Sequence, residues 1–175
     1  MKTWIQSLSM LMGFTLLTGV VYPLVVMGVG SLLWPAEARG LPTLIAKKTT
    51  DPKLFWPRPS AADYATVPSG ASNLAPSNQA LREQIAKRKE LYPGTQPVPP
   101  ELLLSSGSGL DPHLTPEAAK FQLARICRAR SWDKARCRAL DHEIDARIER
   151  PTLGFLGRTR VNVNVLNQFF TEDGK

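Results

Sequence analysis

A chain of 175 residues with a net charge of +7 has room for one membrane segment and one modest domain, but not for two independent cores. Its 22 Lys and Arg and 15 Asp and Glu are unevenly placed, because Lys2 is the only charged residue before Glu37. The basic surplus therefore belongs to the rest of the chain, where it suits anionic headgroups or an acidic partner surface; no Lys/Arg stripe interleaved with aromatics appears, which speaks against nucleic acid.

From Thr3 to Ala36 no residue is charged, and Leu8 to Trp34 is overwhelmingly apolar. Twenty residues of helix, at ~1.5 Å each, cross a hydrocarbon core of ~30 Å. In lipid the backbone must close its own hydrogen bonds, so a single crossing segment is a helix. Trp4 and Trp34 stand where aromatic belts form. Residues 1–36 are thus predicted as a transmembrane anchor and 37–175 as the domain it carries. The rival reading is a cleaved signal peptide, for which Ala36-Glu37-Ala38 would be the small-x-small site. The uncharged stretch is too long for it, since a signal core has about 7–15 apolar residues. Ser9/Gly13 and Thr15/Gly19 would let another helix approach, and Pro23 predicts a kink. Arg39, Lys47 and Lys48 against Glu37 give a charge count that favours a cytoplasmic domain, although large domains cross regardless of charge.

Prolines at 42, 52, 57, 59 and 68 forbid long helices or central strands over 37–70. Phe55, Trp56 and Tyr64 give this stretch, and the turn-rich Val67–Asn78, something to pack as an ordered loop. Ser77 or Asn78 caps a helix with Leu81 and Ile85 on one face, stopped by Tyr92-Pro93-Gly94. Val98–Leu104 reads as a short buried strand. Thr115-Pro116-Glu117 starts a helix to Ala129, and Ser131 caps a second one with Cys137, Leu140, Ile144 and Ile148 recurring at three and four, ended by Pro151. The pair makes an αα-hairpin. Val161, Val163 and Val165 alternate with Asn162 and Asn164 as a half-buried strand after the turn glycines Gly154 and Gly157. Helices and strands without a βαβ rhythm predict an α+β domain.

Few residues suggest chemistry. His113 lies near Asp111 and several serines, but no nucleophile elbow accompanies it, and a turn role is the expectation. Asp111, His113 and Glu117 would make only half a metal site. His142 falls on the charged face of its helix. The run Ser105-Ser106-Gly107-Ser108-Gly109 could offer backbone N–H groups to a nucleotide phosphate; without a Gly-x4-Gly-Lys-Ser/Thr loop in the chain, a tight turn is the expectation. Cys127 and Cys137 are either bridged across the αα-turn or two small buried thiols.

Six segments together resemble the C subunit of Kdp-type potassium-transporting ATPases. They are Gly19-Val20-Val21-Tyr22-Pro23-Leu24, Phe55-Trp56-Pro57-Arg58-Pro59-Ser60-Ala61, and Ser72-Asn73-Leu74-Ala75-Pro76-Ser77-Asn78. Val98-Pro99-x-Glu101-Leu102 follows, then Ser105-Ser106-Gly107-Ser108-Gly109-Leu110-Asp111-Pro112-His113 running into Thr115-Pro116, and last Arg160-Val161-Asn162-Val163 with Leu166-Asn167. The resemblance implies a single-pass protein of the inner membrane, part of a potassium importer that uses ATP, magnesium and potassium. It implies three partners: a channel-like potassium-binding subunit, a P-type ATPase subunit and a small membrane peptide. The implied role is assembly, with no cofactor of its own and the domain outside the cytoplasm; an older reading makes it a cytoplasmic chaperone raising the ATP affinity of the ATPase subunit. The chain itself lacks the Asp-Lys-Thr-Gly-Thr phosphorylation loop of such pumps. It also departs from the family in lacking about fifteen residues of a Gly/Ser-rich stretch between Trp34 and Leu44-Ile45, on comparison with the family pattern.

Overall fold

The computed structural model describes residues 2–35 and 43–172. The chain divides into two units, Met1–Leu41 and Pro42–Lys175, described separately below. The expected boundary at residue 36, and the Ala36-Glu37-Ala38 site, lie outside the described residues.

The first unit is helical: α1 (Lys2–Leu16), a π turn (Leu17–Val21) and α2 (Tyr22–Leu33). Thr3–Leu33 is one largely apolar span of 31 residues, with mean hydropathy 2.0 over its most apolar 18 residues and none of these buried, long and apolar enough to cross a membrane. Where a kink was expected, the backbone takes a wider turn. The Tyr22 N–H reaches back five residues to the Leu17 carbonyl just before Pro23, which has no N–H to donate and crowds the carbonyl four residues back. The hydroxyls of Ser7, Ser9, Thr18 and Ser31 donate to carbonyls of their own helix, at Thr3, Gln6, Phe14 and Gly28, so none asks lipid for a partner.

The second unit is mostly helical with one small sheet, rather than evenly α+β. Its core gathers Phe55, Leu102, Leu114, Ala118, Ile126, Leu140, Ile144, Val161, Leu166 and Phe170. Helix α3 (Gln79–Glu90) starts as expected, with the Asn78 side chain accepting from the Ala80 N–H, and lays Leu81 and Ile85 half-buried against the domain. The strand expected over Val98–Leu104 is instead a helical turn, α4 (Pro100–Leu103). Pro100 at the first helical position fixes φ, Glu101 follows in the first turn, and only Leu102 is fully buried.

Thr115 caps its helix through the Ala118 N–H, but the single helix expected to Ala129 is two: α5 (Pro116–Phe121) and α6 (Leu123–Ala129), broken at Gln122. The cap of the next helix is Asp133, which accepts from the Arg136 N–H, and not Ser131, which turns the chain with φ at +52°. That helix, α7 (Lys134–Ala146), ends five residues before Pro151. It packs against α6 as the expected αα-hairpin, and Cys127 and Cys137 are bridged across it with Cα atoms 5.9 Å apart.

Strands β1 (His113–Leu114) and β2 (Val161–Asn162) pair antiparallel, His113 opposite Asn162 and Leu114 opposite Val161. The Val161/163/165 alternation was expected to run on as strand. It stops after Asn162, whose side-chain oxygen accepts from the Asn164 and Val165 N–H groups and so caps α8 (Val163–Glu172). Val163, Leu166 and Phe170 then bury one helical face.

Candidate functional site

The segments 58–60, 105–113 and 162 converge on the edge of the small sheet. Ser106 donates its backbone N–H to the Pro59 carbonyl, and Val163 donates to Pro112. Asp111 organises the turn into β1. One carboxylate oxygen accepts from the His113 N–H at 3.0 Å and lies 2.9 Å from His113 Nδ1; the other faces Arg58 Nη1 at 3.7 Å. Around them, Glu101, Thr115 and Arg158–Arg160 complete a pocket of about 220 Å³. The Glu101 carboxylate accepts from the Thr115 N–H, tying α4 to the start of α5.

A His–Asp pair could orient an imidazole as a base, yet two nearby serine hydroxyls are committed elsewhere and the third, on Ser106, is buried without a hydrogen-bond partner among the described residues. The Ser105 hydroxyl accepts from Arg88, Ser108 accepts from the Leu110 N–H, and Ser106 is buried. No triad is assembled. Among the described residues no three of His, Cys, Asp and Glu come together as a metal site, and Glu117 is exposed on its helix.

Three donors of the serine-glycine turn point inward. Ser106, Gly109 and Leu110 N–H groups go to Pro59, Ser106 and Ser108. Gly109 sits at φ +72°, and a Cβ there would stand 2.8 Å from the Gly70 carbonyl oxygen and 3.1 Å from Ser60 Oγ. The segment 60–70 is thus folded over the turn. Ser60 Oγ in turn accepts from the Ala62 and Tyr64 N–H groups, and the Tyr64 hydroxyl donates to the Arg58 carbonyl. Burial pushes the Tyr64 phenol up to about 12, with nearby Arg88 pulling against it. Burial also lowers Arg88, whose fork holds the Leu103 carbonyl as well as Ser105 and Gln84.

The other motif positions fall outside this cluster. Tyr22 and Pro23 sit at the π turn; Ser72 is half-buried, and Asn73 turns the chain at φ +51°. Asn162 is a tether as well as a cap: its amide donates to the Thr43 carbonyl, and Asn164 donates to Thr43 and Ile45.

Residues given no individual role in the sequence carry more of the geometry. Gln122, buried in the helix break, bonds the backbone of Trp56, and Asn167 does the same for Phe55. Arg125 stacks 3.9 Å over the Trp56 ring and holds the Pro52 and Leu54 carbonyls. A buried polar side chain has no periodic signature, so the only hint was amides placed amid apolar helical positions.

Residues 4–171 match the family model described as KdpC: K+-transporting ATPase, c chain. A Potassium-transporting ATPase KdpC subunit of Rhodospirillum rubrum is 42% identical over 184 aligned positions, covering 95% of this chain and 94% of that protein. The KdpC subunit of Pseudomonas savastanoi pv. phaseolicola is 44% identical, covering 92% and 88%. That of Geobacter sulfurreducens is 39% identical, covering 95% and 96%. The 184 aligned positions exceed the 175 residues of the chain, so the Rhodospirillum protein carries residues that this one lacks. The family model matched over residues 4–171, with relatives of 42% and 44% identity along nearly the whole chain, makes this protein a member of the KdpC family of potassium-transporting ATPase subunits.

Proposed function

We propose that this chain is a non-catalytic subunit that assembles and stabilises a potassium-importing complex, its apolar helix in the inner membrane and its domain on the extracytoplasmic side. The observation that carries the reading is an uncharged, largely apolar span of 31 residues with no buried surface of its own, joined to a domain in which no catalytic triad or metal cluster is assembled among the described residues. Such a helix gains partners only from lipid and from other membrane helices. The partners are the channel-like potassium-binding subunit, the P-type ATPase subunit and the small membrane peptide. ATP, magnesium and potassium belong to the complex, and this subunit holds none of them.

The Cys127–Cys137 bridge supports the placement outside, because such bonds persist in oxidising compartments and are rare in the cytoplasm. The alternative, a cytoplasmic chaperone that raises ATP affinity, calls for a phosphate cradle where two of the Ser105–Gly109 backbone donors, those of Ser106 and Gly109, are already spent on Pro59 and within the turn.

Labelling of intact cells with a membrane-impermeant amine reagent tests the placement. Lysines such as Lys87 and Lys134, both exposed, should react before lysis. Reaction only after the membrane is opened would put the domain in the cytoplasm.

A further inference from the structure

Residues 149–160 form a hairpin that leaves the domain with an apolar tip. Glu149 and Arg160 exchange both backbone hydrogen bonds and pair their side chains; Thr152 and Leu156 exchange both of theirs above them. At the tip Leu153 is 79% exposed, Phe155 74% and Leu156 52%. Leu153 is held at φ +57°, directly before the positive-φ Gly154, in a region where a leucine is disfavoured. A strained backbone that presents three large apolar side chains to water calls for an explanation in function. On either side stand Arg150 and Arg158, both exposed and without an ion pair among the described residues.

We propose that this tip contacts the bilayer, with Leu153, Phe155 and Leu156 entering the interfacial zone and Arg150 and Arg158 at the phosphates of anionic lipid. Apolar side chains rimmed by arginine match that zone, where acyl chains meet charged headgroups. Chain length also permits the contact. The hairpin runs directly into β2, where Asn162 is bonded to the Thr43 carbonyl at 2.8 Å. Trp34, at the end of the apolar span, is nine residues before Thr43, a tether of at most ~30 Å. Phe155 is seven residues from Asn162, a reach of ~20 Å. These lengths allow the tip to meet a bilayer that holds the span. The inference rests on the reading of 3–33 as a membrane anchor.

The test uses the full chain in nanodiscs of phosphatidylcholine and phosphatidylglycerol, with an environment-sensitive fluorophore on a single introduced cysteine and doxyl-labelled lipid as quencher. With Cys127 and Cys137 bridged, the new thiol alone takes the label. Three positions are compared: Phe155→Cys at the tip, Val67→Cys at an 88% exposed site elsewhere, and Met10→Cys in the span. Position 155 should be quenched roughly threefold more than 67, and Arg150→Gln should weaken its insertion about fivefold. Quenching at 10 with none above the position 67 level at 155 overturns the proposal and leaves the anchor standing. No quenching at 10 overturns both. A label at 155 that is water-exposed in the lone chain and shielded only in the assembled complex assigns the tip to a protein partner and overturns the lipid contact.

Discussion

Gln122 engages the backbone of Trp56 in both directions: its amide oxygen accepts from the Trp56 N–H at 2.8 Å, and its amide nitrogen donates to the Trp56 carbonyl at 3.0 Å. Asn167, on α8, treats Phe55 in the same way at 2.8 and 3.0 Å. Two side-chain amides thus stand in for the neighbouring strands that a proline-rich segment cannot recruit. They let Phe55 reach the centre of the core while its backbone stays paired.

Gln122→Leu keeps the volume and leaves the Trp56 N–H and carbonyl without these partners, in a site where Gln122 is 1% exposed. An unsatisfied buried group costs about 1–3 kcal/mol, so the variant should lose roughly 2–4 kcal/mol. Denaturant unfolding of the detergent-solubilised chain measures this. A loss within the range of ordinary surface substitutions, about 0.5 kcal/mol, would show that water serves the segment as well.

The bridge between Cys127 and Cys137 closes a short loop across the αα-turn. By loop-closure entropy it should contribute ~2–3 kcal/mol, which the Cys127→Ser/Cys137→Ser pair of substitutions removes. Thermal unfolding with and without reductant should differ for the natural chain and coincide for the double variant. Identical curves for the natural chain under both conditions would mean that the bridge is not formed or not stabilising.

Two glycines of one turn should respond differently. Gly107 has open space around its missing Cβ, whereas at Gly109 a Cβ would press on the Gly70 carbonyl at an unfavourable φ. Gly109→Ala is expected to destabilise by about 1–3 kcal/mol and Gly107→Ala by much less. If the turn were a phosphate cradle, Gly107→Val would weaken ATP binding by the full chain. Saturable binding at physiological ATP that this change abolishes would restore the nucleotide reading.

Alkaline pH should weaken the domain in a defined window. Burial raises Tyr64 and Tyr92 from 10.0 to about 12, so the folded state holds both phenolic protons more tightly than the unfolded state. Their contribution is whole below pH 10 and is lost as pH rises towards 12. Burial lowers Arg125 to about 10, which works in the opposite sense over the same window, so Tyr64→Phe with Tyr92→Phe is the informative control. Phenolate absorbance should show both groups titrating above a free tyrosine in the natural chain. Titration of both near pH 10 in the folded protein would contradict their burial.

Local signals were legible where one residue does one local job: Asn78 and Thr115 cap their helices, and the apolar span is a helix. Val161–Val165 misled because alternation of valine and asparagine satisfies a strand pattern. The deciding fact is that Asn162 caps a helix while bonding Thr43, more than a hundred residues earlier. Val98–Leu104 misled because three consecutive leucines suit either state, and Pro99-Pro100 settles it for a helical turn. The break at Gln122 was invisible for a related reason. Nothing local says that its amide will be claimed by Trp56. Of the candidate site, the Asp111–His113 turn was readable from short spacing; its closure by Arg58, Ser60 and Gly70 was not.

Purification of the potassium-transporting complex from cells that keep or lack this chain tests the assembly role most directly. With the chain present, the channel-like and ATPase subunits should co-purify and hydrolyse ATP in response to potassium. Without it they should come apart, and growth should fail only when potassium is scarce; an intact, potassium-responsive complex lacking the chain would contradict the role.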